Sequence, residues 1–299
     1  MSNFQEKSHD AQKAHLEKLA VNSVEDFLYI LKNKDCFALQ IQYRTLSLLS
    51  PFFTVKSNWL TIGDYNGIEA NYLKENGQNS IASDISDSFL SEIFKQGFIT
   101  EYKIVNVENI PFKDNSFDYV FCREAYHHFP RAYLGLYEMI RVAEKAAILI
   151  EPIDILSKMP ILLFFKNIFD RFSPTFINKI WKNRFSFEPV GNYIFKISER
   201  EVEKVAMGIG MSCIAFKGIN VFNSHKSYPE SREVPLNKKF WNKVIFKLKI
   251  LDMLCFLTLI PHNSLCSILF KNIPEESLVN NLKKNGFKVI FLPKNPYLK

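Results

Sequence analysis

Between Trp59 and Pro152 the chain alternates short apolar runs with helix-like segments, and no other feature constrains the fold as much. Trp59-Leu60-Thr61-Ile62 reads as a buried strand ending at Gly63, followed by a helix over Ile68–Glu75 that Asn76-Gly77 closes. Ser80–Ser83 is a second strand ending at Asp84, and Ser88–Gln96 a second helix stopped by Gly97. Tyr102–Val105, Phe117–Cys122 and Ala146–Glu151 continue as strands, with a helix over Pro130–Val142 before the last. Apolar strands joined by helices bury both their faces in a doubly wound, mostly parallel sheet.

The flanks read differently. Ser23 with Asp26 marks a helix start before Phe27, and a second helix runs near Phe37–Leu49 until Pro51. Residues 1–50 are therefore expected to be a helical N-terminal extension, and 51–299 one domain. Past Pro152 the pattern loosens: Ile153–Trp181 is aromatic-rich and reads as two helical pieces broken at Pro160 and Pro174. Ser198 and Glu201 stand at capping-box spacing for a helix reaching Gly208. Met211–Phe216, Ser264–Phe270 and Phe287–Leu292 read as strands, Phe240–Leu257 and Glu275–Lys284 as helices. Segments 153–193 and 220–262 are expected to be helical and aromatic insertions into the sheet domain.

Composition narrows the function classes. Hydrophobic residues at 47% and charged residues at 23% exclude intrinsic disorder. The balance of 38 Lys and Arg against 31 Asp and Glu suits a phosphate or an anionic surface without requiring either. Because the cations are not gathered into one run, no nucleic-acid partner is expected. Five scattered cysteines, with no Cys-x-x-Cys and no Cys/His pair at ligand spacing, read as buried thiols of a reducing, cytoplasmic compartment. No metal is expected. The first eighteen residues are polar, which leaves no signal-peptide core. Met253–Phe270 carries no formal charge, but Pro261, His262, Asn263 and Ser264 interrupt it, so two elements joined by a turn are expected rather than a membrane span.

Chemistry concentrates at strand ends. Thr61-Ile62-Gly63-Asp64-Tyr65-Asn66-Gly67 is a glycine turn between a strand and a helix N-terminus, where backbone can approach a ligand. Asp84 ends the next strand, twenty-one residues after Gly63, where a carboxylate can accept both hydroxyls of a ribose.

With Asn106-Val107-Glu108-Asn109-Ile110-Pro111-Phe112 and Asn115-Ser116-Phe117-Asp118-Tyr119-Val120, these elements resemble the class I S-adenosylmethionine-dependent methyltransferases. The resemblance covers roughly Trp59 to Pro152. It implies a Rossmann-like, mostly parallel seven-stranded sheet, with S-adenosyl-L-methionine as cofactor. It places Gly63 and Gly67 in the turn facing the methionine part and Asp84 on the ribose. Ile85 would pack on adenine, with Val107 and its neighbour Asn106 in the loop closing over that ring. Cys122 and Arg123 would form the wall beneath the sulfonium. Thr61 and Tyr65 depart from the family's turn, which usually opens with an acid and has a middle glycine; Asp64 is then the acid left for the cofactor's ammonium group. These departures favour one rival, a non-catalytic methyltransferase-like binding module.

The run Cys122-Arg123-Glu124-Ala125-Tyr126-His127-His128-Phe129-Pro130 is a dense polar cluster at a strand's carboxyl end. Methyl transfer to oxygen or nitrogen needs in-line positioning and a base, and histidine suits the latter. His127 is expected to be that base and His128 its alternative, one of the two being structural. Glu151 is either a second base or an acceptor of backbone N–H bonds. The segment Ile153–Tyr193, whose Phe-rich stretch Leu162–Phe187 is interleaved with Lys166, Arg171 and Arg184, is expected to be a mainly helical cap whose aromatic face lines the acceptor pocket, with Tyr193 and Arg184 near its polar end. It also suits peripheral contact with an anionic membrane. The acceptor expected is a small polar molecule such as a sugar or glycan precursor of polysaccharide biosynthesis, with a lipid or quinone as the rival acceptor; the oligomeric state is not legible.

Overall fold

The computed structural model describes residues 2–172, 186–188, 191–222, 228–294 and 296–297. Eight strands form one sheet in the order β3-β2-β1-β4-β5-β7-β6-β8. Their ranges are β1 Asn58–Ile62, β2 Asn79–Asp84, β3 Tyr102–Ile104, β4 Phe117–Arg123 and β5 Ala143–Pro152. The distal strands are β6 Cys213–Ile219, β7 Ser264–Phe270 and β8 Lys288–Phe291. Strands β1 to β5 run parallel, whereas β7 is antiparallel to β5 and β6, and β8 antiparallel to β6. The sheet thus has one strand more than the seven implied by the resemblance: β8 adds an edge by pairing Lys288–Phe291 with Cys213–Phe216.

Strand order reverses between β2-β1 and β4-β5, which opens a crevice at the carboxyl ends of β1 and β4. The register brings these ends level, with Ile62 opposite both Ser83 and Cys122. Alternation along β4 sends Phe121 to one face of the sheet and Val120 and Cys122 to the other, each into its own apolar core.

Helix α1 is a single helix over Ser2–Lys32, where the sequence suggested a start at Ser23. Leu16, Ala20, Ser23 and Leu31 are all buried on it; their spacings of four, three and eight residues keep one face on the protein, so Ser23 lies inside the helix rather than capping it. Helix α2 (Phe37–Leu46) runs into a 3-10 turn over Ser47–Phe52 that accommodates Pro51. Leu31, Cys36, Leu39 and Leu46 share one core with Trp59, Phe121 and Ile148 of the sheet.

Helices α3 (Ile68–Glu75), α4 (Leu90–Lys95) and α5 (Ala132–Val142) connect the parallel strands. Helix α6 (Pro160–Phe172) follows β5, and the segment beyond it containing Pro174, Trp181 and Arg184 lies outside the described residues. Helix α7 (Glu199–Gly208) has the expected capping box: Ser198 Oγ accepts the Glu201 N–H at 3.3 Å and donates to Glu201 Oε2 at 2.8 Å. Helix α8 (Lys238–Phe256) packs Phe240, Val244 and Leu248 on Phe37 and Ile41 of α2. Helix α9 (Glu276–Lys284) precedes β8. The uncharged run Met253–Phe270 divides between the end of α8 and β7, and no described helix is long and apolar enough to cross a membrane. All five cysteines are free and buried.

Candidate cofactor and acceptor site

A cavity of about 310 Å³ lies at the crevice, within the size range of small-ligand sites. Its floor is the carboxyl ends of the strands, with Ile62, Gly63, Asp84 and Ile85; Val105 and Val107 form an apolar side. Ser8, His9, Gln12, Leu16 and Leu19 of α1 roof it. Glu124, His128, Glu188 and Asn192 make the polar end.

Gly63 has φ +70°, and a Cβ there would overlap the Ala125 methyl, so only glycine keeps the floor open. Asp84 ends β2 almost fully buried. One oxygen accepts the Ser86 N–H at 3.2 Å, and desolvation pushes its carboxyl up to about 7. A buried carboxylate in that position is stabilised by a ligand that brings hydroxyl donors. Ile85, Val107, Leu16 and Leu19 offer a planar ring an apolar slot next to it. Tyr65 bounds the cavity, yet its ring packs edge-on against Phe27 and Phe89 at 5.7 and 5.2 Å.

Asp64 serves the fold rather than the cavity. Its carboxylate accepts the Ala70 and Glu69 N–H groups at 2.9 and 3.3 Å and the Thr61 hydroxyl at 2.8 Å. It therefore caps the start of α3, and Thr61 is its internal partner. Gly67, at φ +65°, abuts Ile93 and Ile99 and does not line the cavity. The Asn106 side chain accepts the Glu108 N–H at 2.9 Å inside its own turn. Cys122 and Arg123 do not form the expected wall. The Cys122 Sγ points at Glu151, 3.7 Å away, and Arg123 crosses to the other face, where it binds Glu69 and Gln42.

The histidines differ from each other. His127 Nδ1 lies 2.6 Å from Glu151 Oε2, and the other oxygen of Glu151 accepts the Ala125 and Tyr126 N–H groups at 2.9 Å each. Desolvation works to lower the His127 pKa, but the Glu151 hydrogen bond and charge outweigh it and raise it. Neither residue is on the cavity wall, whereas His128 is. The His128 Nδ1 lies 2.6 Å from Glu188 Oε2, and its carbonyl accepts from Asn192 Nδ2 at 2.9 Å. Asn192 Oδ1 in turn accepts from Ser8 of α1.

Two features had no role assigned in the sequence reading. Glu124 sits at φ +52°, unusual for a residue with a side chain, and faces the cavity. Desolvation and the nearby Glu151 charge push it up to about 7. The roof is the second: α1 is pinned by His9 to Glu108 at 3.3 Å, while Arg131 binds the same carboxylate. Despite desolvation, these partners hold Glu108 down to about 2. Of the expected aromatic cap, Glu188 and Asn192 reach the cavity, but the described part of α6 does not, and its Phe164 and Phe165 are exposed. Phe187 and Tyr193, partly exposed, pair edge-on at 5.8 Å next to these loop residues.

A parallel sheet with a glycine turn, an acid at the end of β2 and an apolar slot at the strand reversal defines a nucleotide-type cleft of the Rossmann kind. Residues 60–150 match the family model described as a methyltransferase domain. The match takes in strands β1 to β5 and the helices between them, so this part of the chain is similar to a methyltransferase domain. No curated protein matches the sequence. Among solved structures, a chain in the complex of the Haloferax volcanii Trm112 methyltransferase activator with a methyltransferase is similar at 10% identity and TM-score 0.51, over 86% of this chain and 98% of that one. A SAM-dependent methyltransferase from Archaeoglobus fulgidus is 14% identical at TM-score 0.49, over 82% and 99% of the two chains. Magnesium protoporphyrin IX methyltransferase from Synechocystis, with bound S-adenosylhomocysteine, is 14% identical at TM-score 0.45, over 79% and 85%. At these identities the likeness concerns the fold alone.

Proposed function

We propose that the protein methylates an oxygen or nitrogen of a small polar acceptor, with a sugar or glycan precursor as the favoured class. The observation that carries this reading is the polar end of the cavity. Glu124, His128, Glu188 and Asn192 gather hydrogen-bonding groups beside an otherwise apolar cleft, which suits a hydroxylated molecule. Phe187 and Tyr193 add aromatic surface beside them.

In this reading Gly63 lets the backbone approach the cofactor, Asp84 holds its ribose hydroxyls, and Ile85, Val107 and Leu16 enclose its base. When bound, S-adenosylmethionine supplies an electrophilic methyl group on a sulfonium centre. The chain's own residues then need only orient the acceptor, exclude water and take its proton. Glu124 is the base proposed here, because a carboxyl near 7 is matched to accepting a proton at neutral pH. His128, steadied by Glu188, orients the acceptor. His127 and Glu151, which the sequence offered as bases, shape the turn that carries Glu124 and His128.

A screen of nucleotide sugars and amino sugars with methyl-labelled cofactor tests the acceptor class. Label in a sugar product supports it; label found only in lipid or quinone products of the same screen overturns it.

A further inference from the structure

We propose that His127, His128 and Glu188 bind a divalent first-row transition cation at the edge of the cavity. Adjacent histidines in a chain ordinarily diverge, but the 3-10 turn over Tyr126–His128 places these two rings side by side, with centroids 4.0 Å apart. Glu188, sixty residues further on, closes the group, and one donor atom from each of the three lies within 4.8 Å of the others. Two imidazoles and a carboxylate form a donor set for Zn²⁺, Co²⁺, Ni²⁺, Mn²⁺ or Fe²⁺, rather than for Mg²⁺ or Ca²⁺.

Two further observations point to a ligand. Glu151 takes Nδ1 of His127 at 2.6 Å, which leaves Nε2 as the free donor. A carboxylate behind a histidine in this way fixes the ring and raises its basicity, the usual outer support of a metal-binding imidazole. That support is rigid, since Glu151 is fully buried and also accepts two backbone N–H groups. The second observation is His128 Nδ1. It is shut off from solvent and makes no well-aligned hydrogen bond among the described residues, although Glu188 Oε2 stands 2.6 Å away. A cation ligated by both atoms, which would have to part from 2.6 Å to the roughly 3–3.5 Å of two ligands on one tetrahedral ion, satisfies both.

Because His128 and Glu188 also line the cavity, three protein ligands leave a coordination position for the acceptor. The acceptor class this selects is one with adjacent oxygen or nitrogen donors, such as a vicinal diol or amino alcohol. This refinement rests on the acceptor reading above; the cation site itself does not.

Equilibrium dialysis of tag-free, chelator-stripped protein against Zn²⁺, with Co²⁺ absorption as a second readout, tests the site without any methyl transfer. We expect one bound equivalent and visible Co²⁺ bands in the wild type, and loss of both in Glu188→Gln and His128→Ala at unchanged near-ultraviolet circular dichroism. Glu151→Gln is expected to weaken binding by roughly 10–100-fold, the effect of removing an outer support. Absence of stoichiometric binding in the wild type overturns the site, and so does binding that survives both Glu188→Gln and His128→Ala. Metal-free protein that transfers methyl groups at the full rate overturns the cation's part in holding the acceptor and leaves the methyltransferase reading intact.

Discussion

Glu151 Oε2 of β5 and His127 Nδ1 of the turn after β4 stand 2.6 Å apart, and this buried pair holds the polar end of the cavity in shape. The other oxygen of Glu151 takes two backbone N–H groups, so removing the carboxylate orphans three N–H donors at once. Glu151→Ala is expected to destabilise the protein by roughly 3–5 kcal/mol, the range for breaking a buried pair. Thermal or denaturant unfolding checks this. His127 is raised above its ordinary value of 6.5, so its share of the stability is full below that pH and fades as pH rises through the folded value. A mutant as stable as the wild type contradicts the structural role.

Asp84 predicts opposite effects on stability and on binding. Its carboxyl titrates near 7 in the fold against an ordinary 3.8, so the native state holds the extra proton between these values. Stability therefore falls as pH rises through that window, and the carboxylate costs the unliganded protein up to about 4 kcal/mol above it. Asp84→Asn should make the ligand-free protein more stable than wild type at pH 8, with the difference vanishing near pH 4. The same change should weaken cofactor binding by roughly 1.5–3 kcal/mol, the worth of hydrogen bonds to a charged group. Melting curves with and without cofactor read both.

Glu124 gives a kinetic prediction. If it takes the acceptor's proton, the wild-type rate rises with pH through about 7, where its carboxyl ionises. Glu124→Gln should abolish that limb and lower turnover by about 10²–10⁴-fold, with cofactor affinity unchanged. Loss of cofactor affinity with the pH profile intact would instead make Glu124 an anchor for the cofactor's ammonium group.

The extent to which this was legible in sequence follows from the range of the interactions. Strands β1 to β5 and their helices announced themselves because buried parallel strands are short apolar runs punctuated by Gly63, Asp84 and Gly97. Gly63, Asp84, Ile85 and Val107 were placed by order along the chain, and all four lie on the cavity. The misplaced residues depended on side-chain direction. Arg123 follows the alternation of β4 to Glu69, and Asp64 turns back to cap α3, and neither follows from its neighbours in the chain. The roof was hidden for a different reason. Ser8 and His9 read as a polar leader because their partners, Asn192 and Glu108, are distant in sequence. An unbroken helix running from that leader through Leu16 and Leu19 was the signal available.

That roof predicts slow exchange. Leu16 and Leu19 close one side of the cavity, and Ser8 and His9 pin the helix to the loops. Deleting residues 2–12 should speed cofactor dissociation and weaken affinity, while the core that α1 shares through Leu31 stays folded. Stopped-flow displacement measures the rate. Unchanged dissociation would mean that the helix does not hold the ligand.

Calorimetric titration of S-adenosylmethionine into the wild type and into Gly63→Val tests the central claim most directly. A Cβ at Gly63 meets Ala125 on the cavity floor in a backbone conformation that side chains avoid. The account predicts saturable one-site binding to the wild type and its loss in a folded Gly63→Val protein. No saturable binding to the wild type at about 1 mM cofactor, an affinity worth only about 4 kcal/mol, would contradict it.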